Sequence, residues 1–150
     1  MEQAPTIDGV AGACAEGFCL SHPLGWNVEE GDGFVSFSHD AAPGSANATI
    51  SSINLQAVVE NAGSSWPAPT EEIVRSFWVL LEEAVAGSFE RMERLPGGAF
   101  RSEGSHQDGK LWHLLIPVEG NRGVAVEVRG PNATWEVHAD VFFADVEVFD

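Results

Sequence analysis

Two periods run through the apolar positions of this chain, and their order predicts its elements. "GFCLSHP" reads as a short strand stopped by Pro23, which cannot donate to a ladder and biases His22 toward extended backbone. "GWNVEE" resumes with Trp26 and Val28 on one face, "EEGDG" offers a hairpin turn, and "FVSFSH" returns with Val35 and Phe37 on one face. The expectation is a small antiparallel meander. After the turn-rich "DAAPGSAN", the stretch "ATISSINLQAVV" reads as one long strand, with Ile53, Leu55 and Ala57 alternating with Ser52, Asn54 and Gln56. Ile50 falls out of that phase, which predicts a bulge near Ser51 and Ser52. The polar face of this strand is expected to meet water.

The period then changes. "ENAGSSWPAP" is a loop with two prolines, and "TEEIVRSFWVLLEEAVAG" predicts a helix over about residues 70 to 86. Thr70 is its expected cap, Glu71 and Glu72 suit its positive end, and Gly87 its stop. Ile73, Phe77, Leu80, Leu81 and Ala84 form one stripe at helical spacing, expected to cover a sheet face. Residues 88 to 130 read as four sequential antiparallel strands, with Pro96-Gly97 suited to a type II turn and Asp108-Gly109 to a tight hairpin. Trp112, Leu114, Ile116 and Val118 share one face, which puts His113 on the other, in contact with the helix or half exposed. At the end, Asn132 or Thr134 suits the cap of a helix over about residues 133 to 144 carrying Trp135, Ala139 and Phe142, followed by a short "VEVF" strand. An all-strand reading competes there, because Val and Phe are frequent; the helix is preferred.

Composition narrows the class. With 150 residues, 44% of them apolar, and nine Phe and five Trp, the chain has enough to bury a core by itself. It carries 23 Asp and Glu against 7 Lys and Arg, a formal net charge of -16. A field of that sign repels phosphate backbones and anionic lipid head groups, so the expected partners include no nucleic acid. No apolar run approaches the ~18 residues of a membrane span, so no membrane insertion is expected. The start has neither the basic nor the apolar region of a secretory signal, so an exported form is expected to have lost it. Residues 1 to 13 read as a flexible N-terminal segment, and 14 to 150 as one domain.

Cys14 and Cys19 sit in "CAEGFC". The four-residue spacer differs from the two-residue spacer of redox and zinc motifs, and no second pair completes a metal site. A small disulfide ring is the preferred reading, which points to an oxidising compartment; two free thiols in a cytosolic protein are the alternative.

The opening "FCLSHPLGWNV", with "HPLGW" from His22 to Trp26, and the order of strands, helix, four-strand meander and terminal helix resemble the PsbP-like superfamily. Its members include the extrinsic PsbP subunit of photosystem II, bacterial lipoproteins of related fold, and nuclear-transport relatives that bind the GTPase Ran. The resemblance runs roughly from Phe18 to Phe149. It implies an α+β fold, an α/β/α sandwich around a mainly antiparallel sheet with one central helix and a C-terminal one, and a role in binding or assembly without catalysis. "HPLGW" looks like a packing and turn motif, so it carries over no functional residue. The acidic balance and the "CAEGFC" ring depart from the family.

The remaining chemistry is sparse. His22, His39, His106, His113 and His138 invite a metal hypothesis, yet neither His39-Asp40 nor His106-x-Asp108 makes a site alone, and no HExxH or 2-His-1-carboxylate spacing is present. Glu29, Glu30 and Asp32 lack the calcium-loop pattern and read as a solvated turn. No serine stands in G-x-S-x-G, and nothing asks for a cofactor. Trp66, in a proline-stiffened loop, is the candidate partner-contacting residue, against the alternative that it folds back over the helix start. The resulting expectation is a non-enzymatic binding or assembly domain of a secreted or surface-anchored bacterial protein, its partner a protein or small molecule. The alternatives are a metal-dependent or carboxylate-using hydrolase assembled from distant strands, a cytosolic chaperone or adaptor of the same fold, and a self-assembling subunit.

Overall fold

The computed structural model describes residues 3–85 and 87–149. Residues 1, 2, 86 and 150, which the expected tail, helix and domain limits reach, lie outside them. The strands are β1 (Val10–Ala15), β2 (Phe18–Pro23), β3 (Asn27–Gly31), β4 (Phe34–Ser38), β5 (Asn47–Asn54), β6 (Gly87–Arg94), β7 (Phe100–His106), β8 (Gly109–Pro117), β9 (Arg122–Gly130) and β10 (Glu147–Val148). The helices are α1 (Leu55–Asn61), α2 (Thr70–Val85) and α3 (Glu136–Ala144). Seven strands form one sheet in the order β3-β4-β5-β9-β8-β7-β6, and β1-β2-β10 form a second. The described pairings are antiparallel. The fold is α+β.

The four strands from β6 to β9 follow the expected meander, with Gly97 at φ 89° in the first turn. The first meander is corrected. β2 and β3 belong to different sheets, because the chain turns out of plane after Pro23, and β2 instead pairs with β1 and β10. β1 takes in Val10 to Ala13 from the stretch expected as a tail.

The long strand ends early, which adds a helix the sequence reading left out. Asn54 closes β5 and caps α1, its side chain accepting from the Ala57 amide at 3.1 Å. Leu55 and Val59 then lie buried one helical turn apart, whereas Ile53, Leu55 and Ala57 only mimic a strand's alternation. No bulge occurs at Ser51 and Ser52, where the register to β4 and β9 is unbroken. The apparent slip arises because both faces of β5 are covered: Ala48 and Ile50 face one core, Ile53 the other. The register shift lies instead in β6, between Phe89 and Arg91.

The large sheet has a core on each face. On one, Val35, Phe37, Ile50, Trp112, Leu114, Val126 and Val128 meet Phe18 and Leu20 of β2 and Trp135, Ala139 and Phe142. Phe18, Phe37 and Phe142 are fully buried, a contribution of roughly 2 kcal/mol each. Trp135 packs so closely that a Cβ on Gly130 would stand 2.5 Å from the Trp135 Cβ. The 3-10 turn Ala133–Trp135 is capped by Asn132, which accepts from the Thr134 amide at 2.9 Å, and Arg101 ties α3 to β7 through Glu136 (2.7 Å) and Asp140 (2.6 Å). On the other face α1 and α2 bury Leu55, Val59, Ile73, Val74 and Phe77 against Phe100, Leu115 and Ala125. Those contacts lie on β7, β8 and β9, so the layer leaves the outer faces of β3 and β4 bare.

Candidate functional site

The bare half of the sheet follows from alternation in "FVSFS" and "NATIS". Val35, Phe37, Ala48 and Ile50 are buried, which turns Ser36, Ser38, Asn47 and Thr49 outward. The register aligns them in two rows across four strands. One runs Asn27, Ser38, Asn47, Arg129; the other runs Glu29, Ser36, Thr49, Glu127. The second row continues under α2 as His113 and Ser102, both buried, where the Trp78 indole N–H donates to Ser102 Oγ at 2.7 Å. The same polar row is therefore solvated at one end and sealed at the other.

A hollow of about 550 Å³ lies on this face, lined by Asn27, Glu29, Ser36, Ser38, Asn47 and Thr49 with Val28 and Phe37. Ser36 Oγ and Thr49 Oγ1 are 3.3 Å apart, Asn27 donates to Asp40 at 2.8 Å, and Arg129 is held by Glu127 at 2.9 Å. The electrostatics are one-sided. No Lys or Arg occurs before Arg75, so β1 to β5 and α1 come from a stretch with acids and no cation. Hydroxyls, amides and carboxylates in rows on a twisted sheet suit recognition of an extended or polar ligand.

A second hollow, about 710 Å³, lies where the β1-β2 turn meets the large sheet and is lined by Glu16, Gly17, Gly33, Ser52, Arg122 and Phe149. Arg122 donates to the carbonyls of Gly17 and Phe149, so the guanidinium clamps the two sheets together. Cys14 and Cys19 stand directly opposite in the β1-β2 ladder and form a disulfide.

His22, His106 and His113 stand apart from one another, while His39 and His138 are neighbours. His22 is buried, packs at a tilt against Phe37 with ring centres 4.6 Å apart, and hydrogen-bonds the Pro23 carbonyl. His39 and His138 lie 6.2 Å apart between Trp26 and Trp135. Burial, then His39, lowers the His138 pKa to about 4. His106 accepts from the Asp108 amide at 3.2 Å, its pKa lowered by burial and then by Arg129. His113 meets Phe77 and Phe89, contacts with helix and sheet, and burial lowers its pKa to about 4. Among the described residues no three His, Cys, Asp or Glu side chains come together in a metal-holding group. Trp66 is half-buried and packs against the core beneath α1 and α2. The sequence reading missed the paired polar rows of β3 and β4; their signal was the serine at every second position of "FVSFS".

No family model matches the sequence, and neither does any curated protein. Among solved structures the chain is similar to cyanobacterial PsbP (CyanoP) from Synechocystis sp. PCC 6803, a solution structure, with a TM-score of 0.64 and 10% identity over 96% of this chain and 95% of that one. A crystal structure from Bacteroides thetaiotaomicron VPI-5482 aligns with a TM-score of 0.42 and 16% identity over 89% of this chain and 45% of that one. The first likeness establishes the fold. It is PsbP-like, as the opening motif and element order imply.

Proposed function

We propose that this chain is a non-catalytic binding or assembly domain that engages its partner through the bare faces of β3 and β4 and the adjoining Asn47 and Thr49 of β5. The carrying observation is the asymmetry of the helix layer, which packs on β6 to β9 and the Ile53 end of β5 and leaves beside them a polar hollow of about 550 Å³. Open, row-patterned sheet faces with an unpaired edge are recurrent docking surfaces. A metal-dependent hydrolase would bring three histidines or acids into one cleft, and among the described residues no three His, Cys, Asp or Glu side chains come together in a metal-holding group. The PsbP-like fold supports the same reading, as does the disulfide for an exported or lumenal setting. No described helix is long and apolar enough to cross a membrane.

The test is a groove-filling variant, Ser38→Trp, compared with wild type and with Arg75→Ala on the exposed side of α2. Partner capture from an extract of the source organism is expected to drop at least tenfold with Ser38→Trp and to be unchanged with Arg75→Ala. Loss with Arg75→Ala and retention with Ser38→Trp would move the surface to the helices.

A further inference from the structure

The large sheet has two edges, and they are built differently. β6 carries a register shift between Phe89 and Arg91 and charges of both signs, Glu90, Arg91, Glu93 and Arg94, the devices that blunt an edge against further pairing. β3 has neither. Its five residues pair with β4 in unbroken register, contain no proline, and are all solvent-exposed, with the outward backbone N–H and C=O groups of an edge strand facing water. What β3 has instead is charge of one sign: Glu29 points to the hollow, Glu30 to the opposite face, and Asp32 follows in the turn.

Charge of one sign does two things at an edge. It opposes a second copy of this chain, because β3 against β3 would set Glu29 and Glu30 near their own images, and like charges across a ladder destabilise it. It also selects among other strands. No cation of residues 1 to 74 competes for these carboxylates, and Arg129, on the same face, is already held by Glu127.

From these observations, and resting on the binding reading above, we infer that β3 is a strand-addition site for an extended, lysine- or arginine-bearing segment of another protein. The incoming backbone pairs with the outward amides and carbonyls of Asn27 to Gly31. Its alternate side chains fall on the two faces of the sheet, one set reaching Glu29 and the hydroxyl row of Ser36 and Thr49, the other Glu30. Backbone pairing supplies affinity without sequence preference; the acids supply the preference for cations.

The experiment uses the full chain and three synthetic eight-residue peptides of alternating Thr and a variable residue: Lys, Gln or Glu. Affinity is read by fluorescence anisotropy and location by amide hydrogen exchange. The Lys peptide is expected to bind at least tenfold tighter than the Glu peptide, to weaken as salt is raised, and to slow exchange at Asn27 to Gly31. The double variant Glu29→Lys/Glu30→Lys is expected to reverse the order of the Lys and Glu peptides; a reversal cannot come from misfolding. Equal binding of all three peptides at β3 would overturn the cationic preference and leave the binding face standing. Slowed exchange only elsewhere, or no binding by any peptide, would overturn the strand-addition site. In that event the Ser38→Trp capture result decides separately whether the face binds anything.

Discussion

Replacing His113 with leucine should convert a pH-dependent stability into a flatter one. His113 is 1% exposed, with Phe77 at 5.0 Å and Phe89 at 6.3 Å between ring centres, and its Nδ1 has no hydrogen-bond partner. Burial lowers its pKa from 6.5 to about 4, so the folded chain keeps it neutral where the unfolded chain takes up a proton. The stability this neutral ring permits is fully present above about pH 6.5 and is lost as pH falls from there toward 4. At pH 5 the unfolded state has gained roughly 1.5 pH units of proton binding, which at 1.36 kcal/mol per unit is about 2 kcal/mol. His138 titrates in the same sense, and protonation of the acidic surface acts oppositely by relieving self-repulsion, so the informative quantity is the difference between variant and wild type. Urea unfolding of both proteins at pH 8, 6.5 and 5 gives that difference. Leucine is close to histidine in volume and leaves no polar atom unpaired, so the variant's stability relative to wild type should rise by about 2 kcal/mol between pH 8 and pH 5. A difference that stays level across that range would refute the buried neutral histidine.

Gly130→Ala should destabilise by about 2 to 3 kcal/mol in urea unfolding, since its Cβ would meet Trp135 at 2.5 Å and Trp112 at 3.1 Å, whereas Gly12→Ala, with open space around it, should be nearly neutral. Cys14→Ser/Cys19→Ser should cost about 2 kcal/mol on the chain-entropy account of a short closed loop, read as a lower urea midpoint with the fold retained by circular dichroism. Trp66→Ala should lower stability by about 1 to 2 kcal/mol by removing a half-buried indole from the second core, and partner capture by the folded variant should be unchanged.

What could be read without coordinates was whatever local chemistry decides. Pro96-Gly97 sets its hairpin because a turn depends on a few adjacent residues, and the β7-β8 hairpin falls where Asp108-Gly109 signals one, shifted by a residue so that Gln107 and Asp108 make the turn and Gly109 opens β8. Trp135, Ala139 and Phe142 announced a helix because their spacing is internal to it, and all three are buried. α1 escaped because "NLQAVV" satisfies both periods over so few residues, and the choice is made by Asn54 capping the helix and by Leu55 and Val59 finding Phe77's layer. The split between β2 and β3 escaped for a related reason. Pro23 signals a stop but not the direction of the chain beyond it, and β10, which pairs with β2, lies more than a hundred residues away. The binding face was half legible: the polar side of β5 was expected to meet water, but its alignment with Ser36 and Glu29 is a matter of register, and its exposure depends on where α1 and α2 stop. Both are tertiary facts.

The most direct measurement is photo-crosslinking from a benzophenone amino acid placed at Ser38, in the hollow, and in a second protein at Glu83, on the exposed side of α2. Crosslinks to a partner protein from Ser38 and none from Glu83 are the predicted result. Crosslinks from Glu83 with none from Ser38 would contradict it and place the working surface on the helices.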